Sequence, residues 1–346
     1  MKKRLLYPDI MRTAAMLLIF AYHFFVEFSK RSAGIRLPRI FTGESGLACN
    51  PVAVAVSLFF MVSGASLMLS AREENAASFF KRRFRSVMLP FYVVFIIGFI
   101  GTLVFFPERY AGIPAWTILL SVFGMDGYLL EILPNFYVTG EWFLGCLILM
   151  YLCFPFLKKA VERQPVLTAA LTIAVWAVLL AFFDVPLFEA RDRWFFLRLP
   201  EFMCGMYFSK YLKESGKKYY GMLGLLLTAF WFFPLFPERF ELVQRLLVTS
   251  GLFMAFRCAG ELLEGRTGPA ERAIHFFADN SYGFFLLHHF AILLAALLLP
   301  AVLGEASEEP WALILMMTVL FAACLFGGWL LGRMPKTGRS RMKHRS

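Results

Sequence analysis

Apolar residues run through this chain in long blocks, not in the strict alternation of a half-buried strand. Ten blocks stand out, at 5–28, 51–70, 86–106, 140–158, 164–183, 194–212, 219–236, 241–258, 276–303 and 310–332. A helix needs about 20 mostly apolar residues to cross a bilayer. The pattern therefore predicts an all-α polytopic membrane protein with about ten transmembrane helices. Pro90, Pro155, Pro200 and Pro234 fall within these blocks. They are expected to kink or end helices unless neighbours satisfy the freed backbone groups. The longer connection 107–139 carries Trp116, Asp126, Tyr128, Glu131 and Tyr137 and is expected to hold a short interfacial helix.

The polar positions between the blocks are just as ordered. Of the 35 Lys and Arg, 24 fall in one alternate set of connections and eight in the other. The remaining three, Arg12, Arg198 and Arg245, lie within blocks. Cytoplasmic loops carry the excess of Lys and Arg, so the richer set is read as cytoplasmic, with both termini inside. An even number of crossings is then required, and ten satisfies it. The 29–50 connection is an unusually basic outer loop.

Composition agrees: 59% of the 346 residues are hydrophobic and 17% are charged. Soluble domains carry about a quarter charged residues. No sizeable soluble domain is expected; residues 1–335 read as one membrane domain and 336–346 as a basic cytoplasmic tail. The first block is too long for a cleavable signal peptide and contains Arg12 and His23. The net charge of +11 marks one membrane side, and no nucleic-acid partner is expected. Six cysteines are scattered, Cys49 alone in an exposed-looking stretch, with no CxxC. Neither a disulfide framework nor a metal site is predicted.

Against that background, the stretch Asp9–His23 organises the chain. An arginine and a histidine lie in a segment that is otherwise a membrane span. A charge at the bilayer centre costs about 3 kcal/mol or more, so such residues are functional by default. Eleven residues of helix advance about 16 Å at roughly 1.5 Å each, and eleven steps of about 100° return to nearly the same face. Asp9 lies three residues before Arg12, within reach of it. One stripe thus carries a cation towards the cytoplasmic side and a titratable base deeper in. That suits a long ligand, anionic at one end and reactive at the other. The structural alternative is polar glue between helices.

His23 is suited to proton transfer near neutral pH. Arg82, Arg83 and Arg85 open the third block and either anchor it or bind phosphates of a cytoplasmic ligand. Glu141 and Trp142 open the fourth. Glu141 can orient His23 or hold a sugar hydroxyl and Trp142 can stack on a sugar; the structural alternative is a helix start with an interfacial aromatic. Arg198 and Glu201 are spaced to pair. Asn280, Ser281 and His288 lie on the ninth block, where helix-to-helix hydrogen bonding is a sufficient explanation. No GxSxG elbow, HExxH, Walker loop or GxGxxG occurs. Adjacent His288 and His289 point about 100° apart on a helix and are expected to chelate one metal poorly.

Asp9-x-x-Arg12, ten residues and His23 resemble the Arg-x10-His signature of acyltransferase family 3, integral-membrane enzymes that O-acylate surface carbohydrates. Further stretches resemble that family in the same order. They are Ser57–Gly64, Lys81–Pro90, Glu141–Pro155, Leu199–Met206 and Asn280–His288. The resemblance covers about residues 5–332 and is to the stand-alone type, without a fused esterase-like domain. It implies acyl-CoA, usually acetyl-CoA, as a cytoplasmic donor substrate with no permanently bound cofactor. The implied acceptor is a glycan or lipid-linked saccharide, and the implied setting is the cell membrane, in contact with lipid. Carried over, His23 is the catalytic base with Glu141 beside it, and Arg12 binds the donor, with Arg82, Arg83 and Arg85 matching the basic run less strictly. Trp142, Asn280 and Ser281 are the candidates for acceptor binding. A lipid or polysaccharide transporter is the rival reading; the chain lacks the paired half-chain symmetry common in transporters.

Overall fold

The computed structural model describes residues 4–31, 34–70, 75–182, 191–212, 216–263, 268–303 and 309–334. The tail 336–346 lies outside them. Among the described residues every regular element is helical. The ten long helices are α1 (Tyr7–Ser29), α2 (Pro51–Ser70), α3 (Ala76–Phe105), α4 (Glu141–Arg163), α5 (Pro165–Phe182), α6 (Phe195–Tyr211), α7 (Lys217–Ala229), α8 (Glu241–Leu263), α9 (Pro269–Leu303) and α10 (Pro310–Gly332).

Each predicted block contains one of these helices. Among the described residues, eight helices are long and apolar enough to cross a membrane. The other two, α6 and α7, have only 17 and 13 residues. The chain leaves α7 through a 3-10 turn at Phe230–Phe232, ahead of Pro234 and Pro237. Pro90, Pro155 and Pro200 lie inside helices that continue past them, so of the four prolines only Pro234 falls beyond a helix end. Two helices begin earlier than hydropathy predicts. α3 starts at Ala76 because the Asn75 side chain accepts from the Ser78 amide at 2.8 Å, an N-cap ahead of the basic turn. α9 starts at Pro269, a residue preset for the first helical turn.

The lipid-facing surface is legible in the burial. Only 11% of the apolar window of α5, and 17% of that of α10, is buried within the protein. Phe156, Val166, Ile97 and Phe182 are exposed. Water would not tolerate so continuous an apolar girdle; hydrocarbon does.

α1 lies between α2, α8 and α9, so the stripe of Arg12 and His23 is enclosed by protein. α2 packs along α6 at backbone contact. A Cβ on Gly64 would collide with the Phe202 carbonyl, and one on Gly205 with the Met61 carbonyl. Small residues at such crossings let dispersion hold helices together where lipid supplies no hydrophobic drive. At the same seam Arg198 and Glu201 pair at 3.1 Å, fully buried, and the Ser57 hydroxyl donates to Glu201 at 2.8 Å. Cys49 is buried, at 2% exposure, contrary to its apparent setting; its carbonyl accepts from the Trp231 indole at 2.8 Å.

The 106–140 connection holds two short helices, Ile118–Val122 and Asp126–Leu129, and two 3-10 turns. It is tied to the bundle at several points. The Tyr128 hydroxyl accepts from the Phe195 amide at 3.0 Å, and the Thr139 hydroxyl donates to the Leu286 carbonyl.

Candidate active site

The site is built on α1. Arg12 donates to Asp9 at 3.2 Å and to the Ser66 hydroxyl of α2 at 2.5 Å. Asp9 also meets Arg4 at 2.5 Å and His275 Nδ1 at 2.7 Å, and Arg4 reaches Asp279 at 2.8 Å. The guanidinium of Arg12 is therefore positioned by a carboxylate that three cationic or protonatable groups share. Its own donors are only partly used, which leaves it able to bind a further anion.

A cavity of about 270 Å³ runs along the α1 stripe, from Arg12, Ser66, Arg83 and Ser86 at one end to His23, Glu141 and Trp142 at the other. Its middle is apolar, with Ile19, Val56, Phe59 and Leu147. Ser281, Tyr282 and Phe285 of α9 form one wall. A second cavity of about 120 Å³ begins at His23 and His289 and includes Glu27, Lys30, Arg109 and Tyr137. His23 belongs to both cavities.

Beside His23 stands a polar cluster. Its ring centroid lies 3.9 Å from that of His289 and 5.3 Å from that of His288, and the two α9 rings are 4.5 Å apart. Glu141 Oε1 is 2.9 Å from His289 Nε2 and accepts from the Tyr137 hydroxyl at 2.7 Å. Glu141 has φ 49°, the left-handed region that side chains rarely adopt. Gly140 before it has φ 100°, and Gly127 lies so close that a Cβ there would meet the Glu141 backbone at 2.5 Å. Such strain costs about 1–3 kcal/mol and collects at functional sites.

The predicted site residues divide as follows. Arg12, His23, Arg83, Glu141, Trp142 and Ser281 line the long cavity. Arg82 and Arg85 do not. Arg82 lies 5.8 Å from the Phe79 ring centroid and Arg85 is exposed, because α3 offers one face to the cavity and consecutive arginines turn away from it. Arg83 lies over Phe79 and Tyr151, both at 5.7 Å. Asn280 is also off the cavity. Its side chain donates to the Phe276 carbonyl of its own helix at 2.7 Å and faces Gly332 of α10, about 100° round from Ser281. Trp142 contributes to the wall while stacking over Arg198 at 5.7 Å. Glu141 touches His289, with His289 interposed towards His23.

Sequence reasoning passes over His289. Its signal is the spacing Tyr282, Phe285, His289, three and then four residues apart, which places all three on one face of α9. The expected divergence of His288 and His289 is also answered by the structure. His23 enters from α1 against both rings, so that one ring nitrogen from each histidine lies within 4.8 Å of the other two. Among the described residues, these three histidines form a group able to hold a metal ion.

The comparisons with known proteins follow the same line. A family model described as an acyltransferase domain matches residues 5–333, nearly the whole chain. A relative, the acyltransferase MdmB of Streptomyces mycarofaciens, is 26% identical over 92% of this chain and 88% of its own length. No solved structure matches the chain. With that match spanning the α1 stripe, both cavities and the α9 wall, the chain belongs to acyltransferase family 3 and is a polytopic membrane enzyme that transfers acyl groups.

Proposed function

We propose that the protein is an O-acyltransferase of the cell membrane. It moves an acyl group, acetyl in the simplest case, from cytoplasmic acyl-CoA to a hydroxyl of a surface glycan or lipid-linked sugar. The observation that carries this reading is that His23 is shared by two cavities of different character. One ends at Arg12 and Arg83, two cations suited to donor phosphates, and narrows through apolar residues that fit a pantetheine arm. The other has the polar and charged lining, with Glu27, Lys30, Arg109 and Tyr137, that a hydroxylated acceptor needs.

In this scheme His23 accepts the proton of the acceptor hydroxyl through an open ring nitrogen. The oxygen attacks the thioester carbonyl, a C–O bond forms, the C–S bond breaks, and the sulfur leaves as the CoA thiol once His23 returns the proton. Arg12 and Arg83 hold the donor. Trp142 and Ser281 line the channel near the reacting end. Glu141, held by Tyr137, is a positioning residue that acts on His23 through His289. Binding both substrates along one stripe replaces a collision of two with an oriented encounter.

Inverted vesicles supplied with labelled acetyl-CoA test the proposal, wild type beside His23→Gln. Label is expected in a glycan or lipid-linked sugar with wild type, and the variant is expected to lose about 10²–10⁴-fold in rate. Equal labelling by both proteins would remove His23 from the chemistry.

A further inference from the structure

We propose that His23, His288 and His289 form a binding site for one divalent transition-metal ion of the zinc class, and that its occupation silences His23. The argument begins with His288. It is 2% exposed, and its Nδ1 lies 2.6 Å from the Phe285 carbonyl. A carbonyl only accepts, so Nδ1 carries the proton and Nε2 carries the lone pair. That Nε2 is buried with no hydrogen-bond partner among the described residues. His289 Nε2 is likewise buried without a well-formed hydrogen bond, although Glu141 Oε1 stands 2.9 Å from it. One unpartnered imidazole nitrogen, on His288, thus sits in a cluster with two further rings, and one nitrogen from each of the three lies within 4.8 Å of the others.

A cation answers that arrangement. Zinc binds imidazole nitrogen at about 2.0–2.1 Å in a tetrahedron, which places ligand nitrogens about 3.4 Å apart. In the proposed site the rings of His23 and His289 turn to close the cluster towards that spacing, and Glu141, whose Oε1 lies 2.9 Å from His289 Nε2, is the carboxylate at hand for a fourth position. The outer partners are those a metal histidine and carboxylate require: the Phe285 carbonyl fixes the tautomer of His288, and the Tyr137 hydroxyl holds Glu141. A set of three imidazoles and one carboxylate favours zinc, cobalt, nickel or copper over magnesium and calcium. The ion reaches the cluster through the 120 Å³ cavity, where Glu27 offers a carboxylate and Lys30 and Arg109 oppose a second cation. One ion per chain is therefore expected.

When bound, the metal takes the lone pair that His23 would use to accept a proton. This silencing rests on the reading of His23 as the base; the binding does not. Titrating purified, detergent-solubilised full-length protein with Co²⁺, the metal alone as probe, reads the site by its visible ligand-field absorption. One equivalent is expected to saturate the signal. His288→Gln and His289→Ala should each weaken binding about tenfold or more, whereas His275→Ala combined with His344→Ala should retain it. His289 is partly exposed, so its truncation leaves the core packing in place. No ligand-field signal, or a signal that survives His289→Ala and vanishes with His275→Ala and His344→Ala, overturns the site. In the labelled-transfer assay, Zn²⁺ is expected to inhibit wild type, a chelator to reverse it, and His289→Ala to need about tenfold more Zn²⁺. Cobalt binding without zinc inhibition would retain the site and overturn the silencing. Transfer that needs His23 in a protein that binds no metal would leave the enzyme reading standing and this one refuted.

Discussion

Asp126 offers the sharpest test of the 106–140 connection. It lies outside the candidate spans, in the short helix Asp126–Leu129, and is fully buried. Neither carboxylate oxygen completes a well-formed hydrogen bond; the Gly127 amide and the Ser121 hydroxyl face it and offset the burial only in part. Burial pushes its carboxyl up from 3.8 to about 7. Because the folded state holds the proton more tightly than the unfolded chain, stability is greatest below the unfolded value. It falls as pH rises from there through about 7. At about 1.4 kcal/mol per pH unit the full loss is about 4 kcal/mol, of which about 1.6 is already incurred at about pH 5. Asp126→Asn keeps the shape and removes the titration, so any fixed cost of the amide cancels in a comparison across pH. Unfolding free energies of wild type and variant in one detergent, at about pH 5 and about pH 8, should diverge by about 2–3 kcal/mol in favour of the variant at the higher pH. Parallel pH dependences would refute the assignment of a buried, unpaired carboxyl.

Other outcomes are equally open to measurement. Arg198→Met leaves Glu201 a buried carboxylate without its cation and should cost about 3–5 kcal/mol in detergent unfolding, most of it recovered by adding Glu201→Met. Arg12→Ala removes a charged donor from the cavity and should weaken acetyl-CoA binding about tenfold or more by calorimetry. Arg83→Ala should weaken donor binding in the same assay, whereas Arg85→Ala, exposed and off the cavity, should stay within about twofold of wild type. Tyr137→Phe deletes the hydrogen bond to Glu141, worth about 1.5 kcal/mol or more to a charged acceptor, and should lower turnover about tenfold without changing donor affinity.

The helical blocks were legible because hydrocarbon imposes one rule on every span, and the long runs of apolar residues record it. The α1 stripe was legible for the converse reason: Arg12 and His23 break that rule on one face at a spacing only a helix makes meaningful. The Ser57–Gly64 and Leu199–Met206 stretches read as separate motifs, yet they are the two sides of one seam, with each glycine admitting the other helix's backbone. What the sequence could not display were relations across chain connections. His289 joins the site because Glu141 arrives beside it and His23 faces it, and both contacts need three helices in place. Asn280 and Ser281 are neighbours in sequence, and a step of about 100° sends one to α10 and the other to the cavity. The length of α7 escaped hydropathy for a local reason, since apolar residues continue past Ala229 into a stretch broken by Pro234 and Pro237.

The geometry at Glu141 ties the 106–140 connection to the candidate site. An ordinary helix start would place residue 141 in the right-handed region; here φ is 49°, a conformation costing about 1–3 kcal/mol for a side chain of this size. Three features hold it there. Gly140 turns the chain at φ 100°, Gly127 admits the Glu141 backbone where a Cβ would not fit, and Thr139 ties the preceding residue to the Leu286 carbonyl on α9. The result is a carboxylate between Tyr137 and His289. Relaxing that turn would lower the strain and withdraw the carboxylate from His289. The connection therefore reaches His23 through a chain of contacts, Glu141 to His289 and His289 to His23.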